Sequence, residues 1–164
     1  MTSFETIIDM FMHRVEEDKR FFNYYGLTDV ESIELAYHRA SAYLNEAISI
    51  LIFKGHPQVD FTDFDAELQQ FNFDLTQREK YLLSSLMYLQ HLDRSIAYLK
   101  TLSVNYTSTD LRVFDPSNAR KTFMTMYESV KAECDDLLDL YRNTARDDGD
   151  YLSIDFEVYD TEET

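Results

Sequence analysis

The chain has 164 residues, with 15 Lys and Arg against 31 Asp and Glu, 45% hydrophobic residues, one Cys, three Gly and two Pro. That is one domain's worth of protein with apolar material for a core, and its net charge of -16 excludes a basic surface for nucleic-acid phosphates, whose affinity comes from Lys and Arg displacing counterions. No apolar run reaches the roughly 18 residues of a membrane span, the start (Met1, Thr2, Ser3, Phe4, Glu5) lacks the pattern of a signal peptide, and a lone Cys134 supports neither an internal disulfide nor a thiolate zinc site, so a soluble protein made in the cytoplasm is expected.

So few Gly and Pro starve the chain of the corners that a many-stranded fold needs. The expected fold is all-α, a bundle of about four long helices with an extended, strand-like C-terminal arm. The first helix is predicted from Ser3 to Phe22, because Phe4, Ile7, Ile8, Phe11, Val15 and Phe22 recur on one face, with Thr2 and Glu5 as its capping box. Thr28 and Glu31 form a second box. The helix they open runs to about Phe53 on a stripe of Ile33, Tyr37, Ala40, Leu44, Ala47, Ile48 and Leu51, and stops at Gly55 with Pro57 beyond. From His56 to Leu75 aromatic and acidic residues alternate. Phe61, Phe64, Phe71 and Phe73 carry too much apolar area to leave wet, at about 1.5–3 kcal/mol each, which predicts a folded loop with a short helix around Asp65 to Phe71.

Thr76 and Glu79 make a third capping box, opening a helix to about Thr101 with Leu82, Leu83, Leu86, Leu89, Ile96 and Leu99 on its inner face. After a polar connection from Ser103 to Thr109, Asp115 as N-cap and Pro116 at the first helical position open the last helix. It reaches about Thr144 on a stripe of Ala119, Phe123, Met126, Val130, Cys134, Leu137, Leu138 and Tyr141.

After Arg146 the period changes, dividing the chain into a helical bundle, 1–146, and an acidic arm, 147–164. Asp147 to Asp150 is a turn. Leu152, Ile154, Phe156 and Val158 then alternate with Ser153, Asp155, Glu157 and Tyr159, as in a half-buried strand. No other segment offers an alternating strand of that length, so the backbone groups of this one need water or a partner. Three fates are open: a tail laid along its own bundle, an unordered acidic tail, or an arm that docks on a neighbour by strand addition or by seating alternate side chains in pockets. The candidate contact residues are Tyr151, Leu152, Ile154, Phe156, Val158 and Tyr159. Residues 132–164 hold twelve acidic and two basic residues, so ten of the sixteen net charges lie in the last fifth of the chain.

Chemistry-bearing patterns are missing from the sequence. A di-iron site in a helical bundle needs Glu-x-x-His on two helices, and none of His13, His38, His56 and His91 has Glu three residues before it. The clusters Asp60, Asp63, Asp65 and Asp147, Asp148, Asp150 fit no EF-hand loop. There is no phosphate-binding glycine loop, no nucleophile elbow and no His-Glu-x-x-His. The chain is therefore expected not to be an enzyme, with no catalytic residue, cofactor or metal. Its 12 Tyr and 12 Phe exceed what a core of this size holds. Tyr24, Tyr25, Tyr43, Tyr88, Tyr98, Tyr106, Tyr127, Tyr151 and Tyr159 cannot all be buried, which suits either an assembly surface or an amphipathic rim.

The run from Phe71 to Tyr88, Phe-Asn-Phe-Asp-Leu-Thr-Gln-Arg-Glu-Lys-Tyr-Leu-Leu-Ser-Ser-Leu-Met-Tyr, resembles a pattern in small helical proteins of tailed bacteriophages of Gram-positive hosts. That pattern sets Asn and Asp before a Leu-Thr-x-x-Glu helix start and follows it with Leu-Met. Phe4 to Asp9, Tyr43 to Ile48, Ile96 to Leu99 and Phe114 to Tyr127 match in order, so the likeness covers most of the chain. In these residues the chain is similar to head-tail connector (adaptor) proteins. The resemblance implies a structural virion protein of the neck, a ring of about twelve copies below the portal, with an arm docked on the portal protein or a neighbouring copy. It also implies a further neck or tail protein as partner, DNA passing through the channel without specific binding, and no membrane. The acidic balance suits such a channel. Two other classes stay open, an acidic inhibitor that mimics DNA and a tail-assembly chaperone.

Overall fold

Phe4, Ile7, Ile8, Phe11 and Val15 bury together on one face of the first helix, α1 (Phe4–Val15), as their spacing predicts. The structure is a computed structural model that describes residues 1–22, 24, 26–105 and 116–152, with the side chains at 19, 20, 99–105 and 116–120 not described. It is largely helical. After α1 come α2 (Lys19–Phe22), α3 (Asp29–Ile50) continuing into a π-helical turn (Leu51–Gly55), α4 (Gln77–Asn105) and α5 (Pro116–Arg142). Three two-residue strands, β1 (Thr2–Ser3), β2 (Phe64–Asp65) and β3 (Gln70–Phe71), form an antiparallel sheet in the order β1-β3-β2. Helix α4 packs against α1, α3 and α5.

The first helix is shorter than its stripe suggests. Glu16, Glu17 and Asp18 offer nothing apolar to the inner face, and the chain turns there, with the Asp18 N–H donating to the Val15 carbonyl and the Phe21 N–H to that of Asp18. The re-entry through α2 makes Phe21, rather than Phe22, the fully buried residue. The expected Thr2–Glu5 capping box does not form either. Thr2 is a strand residue paired with Phe71, and its hydroxyl accepts the Leu75 N–H at 2.9 Å. Ser3 caps α1 instead, accepting from the Glu5 N–H.

The second box forms as expected: the Glu31 carboxylate accepts the Thr28 N–H at 2.8 Å while the Thr28 hydroxyl accepts the Glu31 N–H. Replacing Thr28 with Ala is expected to cost about 1 kcal/mol, visible as a lower urea midpoint at unchanged slope. The buried face of α3 runs through Ala36, Ala40, Tyr43, Leu44, Ala47 and Ile48. Ile33, expected on that face, is 52% exposed, because the buried line at this end of the helix runs through Ser32 and Ala36 instead. Gly55 sits at a tight contact at the helix end. A Cβ there would lie 2.7 Å from Leu51 and 3.4 Å from Tyr141 of α5, so the glycine permits close approach while His56, with φ 45°, makes the left-handed exit.

The aromatic loop folds as a hairpin rather than around a helix from Asp65 to Phe71. The Asp65 carboxylate accepts the N–H groups of Glu67 and Leu68, which competes with helix continuation, and β2 and β3 pair across the turn. Phe61 and Phe71 are fully buried, with the Phe71 ring 4.9 Å from that of Phe4. The third box forms between Thr76 and Glu79. Along α4, Leu82, Leu83, Leu86 and Ile96 bury and Leu89 packs partly against them. In α5 Cys134 and Leu138 are buried, whereas Met126 is 38% exposed; the Leu99 and Ala119 side chains and the whole of Asp115 lie outside the described residues.

Candidate interaction site at the base of the C-terminal segment

The end of α5 is held by one buried carboxylate. Glu79 begins as a capping residue, one of its oxygens accepting the Thr76 N–H at 2.7 Å. The other oxygen accepts from Arg146 Nε at 2.8 Å and from the Tyr141 hydroxyl at 3.0 Å, while Arg146 Nη2 reaches the first oxygen at 3.0 Å, so the guanidinium spans the carboxylate. The Glu79 side chain is 0% exposed and that of Arg146 18%. Burial and the neighbouring carboxylate both raise the Tyr141 phenol, keeping it a donor. The hydrogen bonds to Glu79 likewise raise the Arg146 guanidinium. Arg146 also donates to the Asp74 carbonyl and lies over the Phe73 ring.

Beyond this anchor the chain reverses. The Gly149 N–H donates to the Ala145 carbonyl, the Ala145 N–H to Asp150 and the Leu152 N–H to Asn143, and Tyr151 bridges antiparallel to Thr144. The Gln58 side chain holds both edges of this return, donating to the Thr144 carbonyl and accepting the Arg146 N–H. Arg78 of α4 donates to the Thr144 hydroxyl at 2.9 Å. It also packs against Gly149, whose φ of 79° suits glycine, and a Cβ there would lie 2.6 Å from the guanidinium. The start of the arm therefore pairs within the chain, with the residues just past the end of α5. Tyr151 is 76% and Leu152 52% exposed. Ile154, Phe156, Val158 and Tyr159 lie outside the described residues.

Next to this return is a groove of about 310 Å³ between α4 and α5, lined by Arg78, Tyr81, Leu82, Leu137, Leu140 and Tyr141 among others. A smaller cleft of about 180 Å³ lies on the other side of α5, where Lys54 and Asp135 pair at 3.6 Å. Cys134 lines that cleft, but burial pushes its thiol up to about 12, and a protonated thiol is a poor nucleophile.

His13, His38 and His56 are exposed. His91 is buried, its Nε2 3.0 Å from an Asp18 carboxylate oxygen, its Nδ1 without a hydrogen-bond partner among the described residues. The rings of Phe11, Phe21, Tyr43 and Tyr88 surround it. Burial lowers its pKa against the opposing pull of Asp18. Among the described residues no group of three or more His, Cys, Asp or Glu converges as a metal site requires, and no helix is long and apolar enough to cross a membrane.

Sequence reading missed Arg146, Glu79 and Gln58 as one unit. A signal existed for the first: Arg142 and Arg146 are the only basic residues after Lys131 in a strongly acidic stretch, which points to a specific carboxylate partner. Comparison with known proteins finds no matching family model, no matching curated protein and no matching solved structure.

Proposed function

We propose that the chain is a structural subunit of the head-tail connector of a tailed bacteriophage, a bundle of long helices that assembles into a ring below the portal protein and docks a strand-like C-terminal arm on the portal or a neighbouring copy. The observation that carries this reading is the built anchorage at the arm's root. A buried Glu79–Arg146 pair, a Gln58 clamp and an antiparallel return fix where the segment after Leu152 departs, while Tyr151 and Leu152 stay exposed. An element whose origin is specified this closely, and whose sequence alternates apolar and acidic residues, suits a docking strand better than a solvent tail. The acidic surface suits a channel that DNA crosses without adhering.

The test is assembly, with and without the arm. Full-length protein should form or join a ring of about twelve copies in native mass spectrometry with portal protein. A chain ending at Leu152, which keeps the Leu152–Asn143 hydrogen bond, should retain its circular dichroism yet fail to join heads to tails. Normal joining by the shortened chain overturns the reading. A full-length monomer that captures a cationic nuclease favours the DNA-mimic inhibitor, and absence from purified particles favours an assembly chaperone.

A further inference from the structure

We infer that α2 and the turn before it, residues 16–22, form a strap over His91 that proton uptake by this histidine releases, opening the aromatic pocket beneath Phe21. The imidazole is the starting point. Its side chain is 7% exposed, and its Nε2 lies 3.0 Å from a carboxylate oxygen of Asp18, the residue at the turn. A carboxylate only accepts, so Nε2 carries the proton of the neutral ring and Nδ1 is a bare acceptor. Nδ1 has no hydrogen-bond partner among the described residues. A second proton therefore puts an N–H at Nδ1 with no described acceptor, and a full charge among the rings of Phe11, Phe21, Tyr43 and Tyr88. The closed form takes up that proton poorly and an opened form takes it up as an ordinary histidine does, so acid shifts the population toward the opened form.

The charged and titratable groups around His91 leave that balance in place. Asp18 favours the imidazolium, but its side chain is 33% exposed, and solvent weakens its pull. On α3, Arg39 lies over the Phe21 ring at 5.1 Å and repels a charge on His91, and Tyr43 contributes an edge-on ring. On α4, burial keeps the Tyr88 phenol protonated, and Arg94 pairs with Glu46 while lying over Tyr43. On α1, Arg14 adds positive charge on the Tyr88 side. The described side chains of α2, Phe21 and Phe22, carry none. Burial therefore outweighs Asp18. The strap is the part that gives way, because α1, α3 and α4 bury apolar residues along their lengths, whereas α2 has four residues. Its described hold is the Phe21 ring, the Asp18–His91 contact and two local hydrogen bonds, from the Asp18 N–H to Val15 and from the Phe21 N–H to Asp18.

Hydrogen exchange on the full-length chain is the test. After correction for intrinsic rates, opening at the Asp18 and Phe21 amides should rise about tenfold from about pH 7.5 to about pH 5.5, because an opened histidine titrates near 6.5 and carboxylates only near 4. The amides of Leu44 on α3 and Leu83 on α4 should not follow. His91→Gln should flatten the rise. A converse variant does not depend on that substitution folding: His13→Gln, His38→Gln and His56→Asn together leave His91 as the sole histidine of four. All three positions are exposed, and asparagine suits the left-handed backbone at 56. There the tenfold rise should persist, which also removes His13, 3.6 Å from Glu16 at the start of the strap, as its source. Protection that ignores pH, or that falls equally at Leu44 and Leu83, overturns the inference. So does a rise that survives His91→Gln or vanishes in the converse variant.

Discussion

Replacing Arg146 with Ala is expected to destabilise the protein by about 3–5 kcal/mol, because it leaves a buried carboxylate without its counter-charge. Glu79 is fully buried, while the Arg146 side chain is 18% exposed, so the carboxylate left behind has little solvent to replace the lost interaction. What remains around Glu79 is the Thr76 N–H and the Tyr141 hydroxyl, two neutral donors for a full negative charge. The expectation separates the cost of breaking the pair from the worth of having it. A double variant, Glu79→Gln with Arg146→Met, removes both charges and keeps the volume, and should recover most of the loss. Urea denaturation of Glu79→Gln, Arg146→Met and the double variant closes the cycle. The second readout is local: in Arg146→Ala the amides of Ala145, Gly149 and Leu152 should lose hydrogen-exchange protection first, since the guanidinium ties their return to the loop before α4. Protection that survives in these three amides would show that Gln58 and Arg78 suffice to hold the arm's root.

The same residue shows why some of the architecture was legible and some was not. Glu79 as a helix-capping partner of Thr76 can be read from the sequence, since both residues sit within one turn and the rule is local. Its second role depends on Tyr141 and Arg146, 62 and 67 positions away, and no period or motif brings those together. The helices followed for a similar reason, as α3, α4 and α5 each repeat their apolar residues over many turns. Failures fell where a few residues decide. Thr2 and Ser3 are equally good caps on paper, but the pairing of Thr2 with Phe71 settles which one serves. Asp65 to Phe71 has a helical spacing of apolar residues, yet β1 supplies a third strand that the segment itself cannot reveal. At the arm, the alternation was readable, whereas the contacts at its root, the Tyr151–Thr144 bridge and the Gln58 side chain 86 residues before Thr144, were not. The candidate contact residues beyond Leu152 rest on that alternation alone.

Replacing Phe11 with Ala should cost a further 3–5 kcal/mol or so by a different mechanism, the opening of a cavity where four segments meet. Phe11 on α1 is fully buried, with ring centres 5.5 Å from Phe21 of α2, 5.7 Å from Tyr43 of α3 and 6.2 Å from His91 of α4. Few rearrangements can refill so large a volume between rings. The loss should extend to the titration of His91. In the intact protein, burial holds that imidazole below its ordinary value, so the unfolded chain binds the proton more readily than the folded one. Stability from this group is therefore full above the unfolded pKa of about 6.5 and falls as the pH drops below it. Water admitted beside His91 by the Phe11→Ala cavity removes part of the cause. Its NMR titration midpoint should rise toward that of an exposed histidine, and the acid-side loss of stability should become shallower even as total stability drops. A midpoint that stays low in Phe11→Ala would mean that burial by Phe21, Tyr43 and Tyr88 suffices to hold it down, whereas Asp18→Asn, which removes the group that raises His91, should lower the midpoint further.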